Sequence, residues 1–190
     1  EIGPEFINLE KLISSKNPKL LKLIPRFILR YIKRVIHLKE VNAAIYRYRN
    51  LKGIEFVNAI LYEEFKVKFN VEGLYNIPEK APFLLASNHP LGGLDGMGLI
   101  SVVGQKRPEV IFPVNDILMH LPQMKECFIP INKHGSNLQN FRLFDNSFAS
   151  DKAILYFPAG LCSRKQKGQI IDLEWKKTVI AQSKKYQRDI

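Results

Sequence analysis

The sequence predicts an α/β fold, a mostly parallel sheet flanked by helices, with a helical, amphipathic module at its N-terminal end. Three observations carry that prediction. Four short apolar runs, residues 83–86, 110–114, 128–131 and 153–157, have the length of buried strands. The stretches between and after them, 95–104, 116–121, 136–150 and 174–187, read as helical. Strands separated by helices call for a largely parallel sheet covered on both faces. Finally, residues 20–38 repeat their apolar positions at the three-and-four spacing of one helical face.

That helix comes first in the chain. Leu20, Leu21, Leu23, Ile24, Phe27, Ile28, Tyr31, Ile32, Val35 and Ile36 form the apolar set, and Lys22, Arg26, Arg30, Lys33, Arg34 and His37 fill the other face. Asn17-Pro18 reads as a cap followed by proline in the first helical turn, and Pro25 should kink or restart the helix. Residues 40–65 continue helically, with Gly53 as a break between 41–51 and 54–65. The period then changes to two: Val67, Phe69 and Val71 alternate with polar residues, as in a half-exposed strand ended by Gly73. The expected division is a basic helical module over 1–65 and an α/β domain over 66–190. Arg188-Asp189-Ile190 reads as the opening of a further strand, so the domain is expected to extend past this stretch.

Charge narrows the partners. The 190 residues carry 29 Lys and Arg against 18 Asp and Glu, a net charge of +11. Residues 1–52 hold 12 of the cations and 4 of the acids, net +8, and the remainder is net +3. A basic segment of this kind suits either nucleic acid or an anionic membrane surface. The aliphatic stripe and the lack of a nucleic-acid motif favour the membrane over nucleic acid. The five fixed charges within 20–38 exclude a membrane span, so the helix either lies in the headgroup plane or packs its stripe on the core. Cys127 and Cys162 are too few for a disulfide framework and lack metal-ligand spacing, which fits a reducing compartment.

The chemistry concentrates at strand ends. After the run at 83–86 come Asn88, His89, Pro90, Leu91, Gly92, Gly93, Leu94 and Asp95: a glycine-rich turn opening a helix, where α/β folds place ligands. Glycines let the turn fold back so that Asp95 reaches His89. A histidine oriented by a carboxylate is a general base, and the alternative is a contact that caps the next helix. Phe157-Pro158-Ala159-Gly160, followed by Ser163 and Arg164, ends another strand with groups suited to an anion. Lys133 and His134 follow a third strand; His134 reads as a loop or capping residue. Cys162 reads as a loop thiol without function, because a thiolate needs an activating base.

Taken in order, Asn88-His89 with Asp95, then 128–133, then Phe157-Pro158-Ala159-Gly160 with Ser163-Arg164, resemble the first three motifs of the glycerolipid (lysophosphatidic-acid, PlsC-like) acyltransferase family. Five residues separate His89 from Asp95 where the family usually has four. Ala159 stands where a Glu is usual, and Lys133 where an Arg is usual. These changes argue against a glycerol-phosphate acceptor. The versions of the motifs seen here resemble a bacterial, hemolysin-like branch that includes lyso-ornithine and other lyso-aminolipid O-acyltransferases.

The resemblance implies transfer of a fatty acyl group from an acyl carrier protein or coenzyme A thioester to a lyso-lipid hydroxyl, with no further cofactor and no metal. It implies His89 as base and Asp95 as its orienting partner, with Asn88, Gly92, Gly93, Lys133, Gly160, Ser163 and Arg164 around the substrates. Together with the basic amphipathic helix at 18–38, the resemblance points to a peripheral enzyme on the cytoplasmic face of the bacterial inner membrane, bound through that helix. The competing readings are a non-catalytic lipid-binding module and a lipid hydrolase, although no Gly-x-Ser-x-Gly elbow is present.

Overall fold

A computed structural model of the chain describes residues 5–114, 118–131 and 138–190. The expected Lys133, His134 and the start of the helix at 116 lie outside the described residues. Helices α1 (Leu9–Lys16), α2 (Pro18–Leu23), α3 (Arg26–Val35), α4 (Leu38–Arg47) and α5 (Gly53–Asn58) come first, and α5 runs on into a π-helical turn, Ala59–Glu64. The Asn17 side chain caps α2 by accepting from Leu20 N, and Pro25 separates α2 from α3, as the sequence predicts. His37, with φ of 50°, breaks the chain again before α4.

Four parallel strands form the sheet: β1 (Leu84–Ala86), β2 (Phe112–Val114), β3 (Phe128–Pro130) and β4 (Ile154–Tyr156). β1 pairs with β4 and β2 with β3, and a parallel bridge between Ile111 and Ile154 joins the two ladders. Asp189 makes a further parallel bridge to Phe83 on the open side of β1. The remaining regular elements are α6 (Gly93–Val103), α7 (Leu138–Phe148), α8 (Thr178–Tyr186), short 3-10 turns over Leu118–His120 and Pro122–Cys127, and an antiparallel hairpin of β5 (Arg164–Gln166) and β6 (Gln169–Ile171).

Alternate strand residues face opposite ways into two apolar cores. Phe83, Phe112, Val114 and Leu155 face one side, where α4, α5 and α6 supply Ile45, Phe56, Val57, Ile100 and Val103. Leu84, Ile111, Ile129 and Ile154 face the other, against Phe148 of α7 and Val179 of α8. Continuous apolar runs are what a sheet covered on both faces requires. The first core draws on residues from both sides of position 65, so the helical segment from α4 onward and the strands bury one surface together.

One expectation is corrected, and of the two alternatives for residues 20–38 one is not found. Residues 67–71 form no ladder: Val67 packs on the core and the Phe69 ring packs edge-on to Tyr62 and close to Gly98, so these contacts take the place of strand pairing. The apolar stripe of 20–36 does not pack on the core. Leu23 is 78% exposed, Phe27 65%, Tyr31 68% and Val35 57%, whereas the buried residue of α3 is Leu29, outside the predicted stripe.

Two buried arginines brace the starts of the strands. Arg107 donates from Nη1 to the carbonyls of Pro78 (3.0 Å) and Ala81 (2.7 Å) and from Nη2 to that of Asp151 (2.6 Å), and its Nε pairs with Glu109. Arg188 donates to Phe148 O (2.8 Å), Lys152 O (2.7 Å) and Phe83 O (3.2 Å). Burial lowers the Arg188 pKa, with nearby Asp151 opposing that effect and Arg107 adding to it. A guanidinium suits this task because its fork of donors satisfies several carbonyls at once.

Replacing Arg107 by Met leaves three inward carbonyls without their donor, each worth about 1–3 kcal/mol when orphaned. The expected loss is about 3 kcal/mol or more of unfolding free energy, checked by the urea midpoint. Gly104→Ala should cost about 1–3 kcal/mol by overpacking, since its Cβ would stand 2.5 Å from Ile100 O and from Ile54 Cδ1; thermal unfolding reads that loss.

Candidate active site

Parallel strands open their C-terminal ends on one edge of the sheet, and the loops leaving β1 and β4 meet there. Gly92, with φ of 73°, turns the β1 loop into α6, whose first turn carries Asp95. A side chain at that φ is strained, so glycine is the residue that permits the fold-back. Asp95 Oδ2 then lies 3.0 Å from His89 Nδ1 and also accepts the Leu91 amide at 2.7 Å. Five intervening residues thus bring the carboxylate onto the imidazole.

The pair is shielded: His89 is 18% exposed and Asp95 13%. An ionised carboxylate only accepts, so with Asp95 in that form the shared proton sits on Nδ1 and a neutral ring presents its lone pair at Nε2. Phe157 stacks on the imidazole with centroids 3.8 Å apart at 19°, and the Phe112 ring lies against Phe157 at 4.8 Å, tilted by 54°. The ring is therefore held at its edge by Asp95 and across its face by Phe157.

The loop after β4 is joined to the same place. Ser163 N donates to His89 O at 2.9 Å. Ser163 Oγ donates to Asp172, and Asn88 Nδ2 donates to the other oxygen of that carboxylate at 3.3 Å. Gly160, with φ of 68°, lies beneath Lys176, whose Nζ is 3.5 Å from where a Cβ would stand. Lys176 N also donates to Pro158 O at 3.2 Å. Arg164 is exposed at the start of β5, and among the described residues neither Arg164 nor Lys176 is paired with a carboxylate.

The structure therefore brings together His89, Asp95, Asn88, Gly92, Gly160 and Ser163, with Arg164 at the margin; Gly93 starts α6 with open space around it, and Lys133 lies outside the described residues. Sequence reasoning missed Asp172, Lys176 and the stacking role of Phe157. The signal for the first two was Lys167-Gly168, a two-residue turn that folds the chain back toward the β4 loop.

Both cysteines are free thiols. Cys162 is exposed, and no hydrogen bond joins it to His89 among the described residues. Burial pushes the Cys127 thiol up to about 11, which keeps it protonated. Among the described residues no three His, Cys, Asp or Glu side chains are placed to hold a metal.

Comparison with known proteins shows the family. The chain matches the acyltransferase family profile over residues 11–190. It is 42% identical over 187 residues to a lyso-glycine lipid O-acyltransferase of Phocaeicola vulgatus, covering 97% of this chain and 67% of that one. It is 39% identical over 187 residues to a protein of the same name from Bacteroides thetaiotaomicron, covering 97% and 68%. No solved structure matches the chain significantly. With the family profile spanning nearly the whole chain and two relatives about 40% identical over 97% of it, the protein is an acyl-transferring enzyme and belongs to the acyltransferase family.

Proposed function

We propose that the protein transfers a fatty acyl group from an acyl carrier protein or coenzyme A thioester to the hydroxyl of a lyso-aminolipid, and that it works at an anionic membrane surface. The observation that carries the reading is the His89–Asp95 contact at 3.0 Å, with Nε2 free to take a proton. The acceptor hydroxyl gives its proton to Nε2 as its oxygen attacks the thioester carbonyl. The resulting tetrahedral species collapses, the carbon–sulfur bond breaks, and the leaving thiolate takes the proton back from the imidazolium. An ester and a thiol result, and His89 is restored. The Gly93 and Leu94 amides open α6 beside this point, and as the first donors of a helix they suit the oxyanion.

The acceptor is the part that the relatives' names bear on. They favour a glycine head group over ornithine. Glycine acylated on nitrogen keeps its carboxylate, and Arg164 and Lys176 are cations without acidic partners among the described residues at the mouth of the site. Ala159 is buried where a glycerol-phosphate enzyme of this type carries Glu, which fits the same choice.

The outward stripe of α2 and α3 supports membrane attachment. Leu23, Phe27, Tyr31 and Val35 are exposed, and Arg30 and Arg34 follow Phe27 and Tyr31 at the i+3 positions. Apolar side chains enter the headgroup boundary while each cation near anionic lipid adds about 1 kcal/mol. No helix among the described residues is long and apolar enough to cross a membrane.

Lyso-glycine lipid, lyso-ornithine lipid and lysophosphatidic acid offered in parallel with acyl carrier protein and coenzyme A donors test the assignment. Transfer should be fastest to the glycine lipid, and no transfer to either aminolipid refutes it. His89→Ala should lower turnover about 10²–10⁴-fold with unchanged far-ultraviolet dichroism, while Cys162→Ser keeps wild-type turnover. Phe27→Glu with Tyr31→Glu removes two apolar anchors worth about 1.5–3 kcal/mol each. Sedimentation with anionic vesicles should weaken at least tenfold and secondary structure should be unchanged.

A further inference from the structure

We infer that Asp172 is a positioning residue of the acyl-transfer site: it clamps the loop that carries His89 to the loop that follows β4. The inference rests on the acyltransferase reading above and adds to it a residue outside the three motifs. The β5–β6 register pairs Arg164 with Ile171, Lys165 with Ile170 and Gln166 with Gln169, closed by Lys167 and Gly168 at φ of 48° and 84°. Two successive left-handed residues make the tight turn whose twist matches a hairpin, so the register is set locally. One step beyond the ladder, Ser163 faces Asp172.

At that point the carboxylate uses both oxygens on two different loops. Oδ1 accepts from Ser163 Oγ and Oδ2 from Asn88 Nδ2. Asn88 precedes His89 in the chain, and Ser163 N holds the His89 carbonyl. Asp95 and Phe157 orient the imidazole ring, whereas Asp172 secures the backbone from which that ring hangs. Each contact is solvent-exposed and weak by itself, but the hairpin presents the carboxylate already in place. Loss of the clamp lets the His89 loop drift, and displacement of about 1 Å costs on the order of 10² in rate.

The test compares Asp172→Ala with Asp172→Asn in the full chain. The alanine variant should lower kcat about 10–100-fold and leave KM for donor and acceptor within about threefold. Asparagine can accept from Asn88 and donate to Ser163 Oγ, so it should recover kcat to within about fivefold of wild type. Asn88→Ala combined with Asp172→Ala should be no worse than Asp172→Ala alone by more than about twofold, as expected of residues in one network. Amide hydrogen exchange at Ser163, read without substrate, should quicken about tenfold or more in the alanine variant and much less in the asparagine variant. Wild-type kcat in Asp172→Ala, a loss confined to KM, or unchanged exchange at Ser163 each overturns the clamp. An inactive wild-type protein whose Ser163 exchange still responds to Asp172→Ala overturns the acyl-transfer reading and leaves the clamp standing.

Discussion

The parallel pairing of β1 with β4 is the constraint on which the site depends. Leu84 lies opposite Ile154 and Ala86 opposite Tyr156, so both strands end together and release their loops on one edge. His89 and Phe157, 68 positions apart in the chain, therefore stack ring on ring. A register slip of one residue would turn Leu84 and Ile154, both fully buried, from one core toward the other and carry both loops out of step. Site geometry and apolar burial are thus two readings of the same ladder.

The electrostatics divide in a similar way. The paired His89 and Asp95 are enclosed, with aromatic rings on one side and a helix start on the other. Cations are spread more openly, some at the hairpin and many along α2 and α3. Enclosed charge is suited to chemistry, because water competes poorly there. Exposed charge is suited to gathering anions, where attraction over distance matters more than a fixed contact.

Much of this was legible from the residues alone. All four apolar runs became parallel strands because each is too short and too continuous to be a surface element. His89 and Asp95 met because glycines sit where the turn needs them. Illegible features share a different cause. Val67–Val71 has strand periodicity, but no neighbouring strand takes it up and Phe69 packs near Gly98 instead. Periodicity finds an apolar face without saying what that face touches, so the outward direction of Phe27 and Tyr31 had to come from the fold. Asp172 was missed because its role depends on hairpin register, and its turn, Lys-Gly, is a plainer signal than Asn-Gly.

The arginine at position 188 also bears on how the molecule is made. Its bond to the Phe83 carbonyl spans 105 residues, and the neighbouring Asp189 fills the side of β1 that would otherwise stay open. Helices α1 to α5 can form from local sequence long before that partner emerges from the ribosome. Until it does, β1 presents bare amides and carbonyls to any passing strand, an invitation to aggregate. Closure of this long loop would then be the slow, late event of folding. Conditions that delay it would lower the yield of soluble protein without altering the native state.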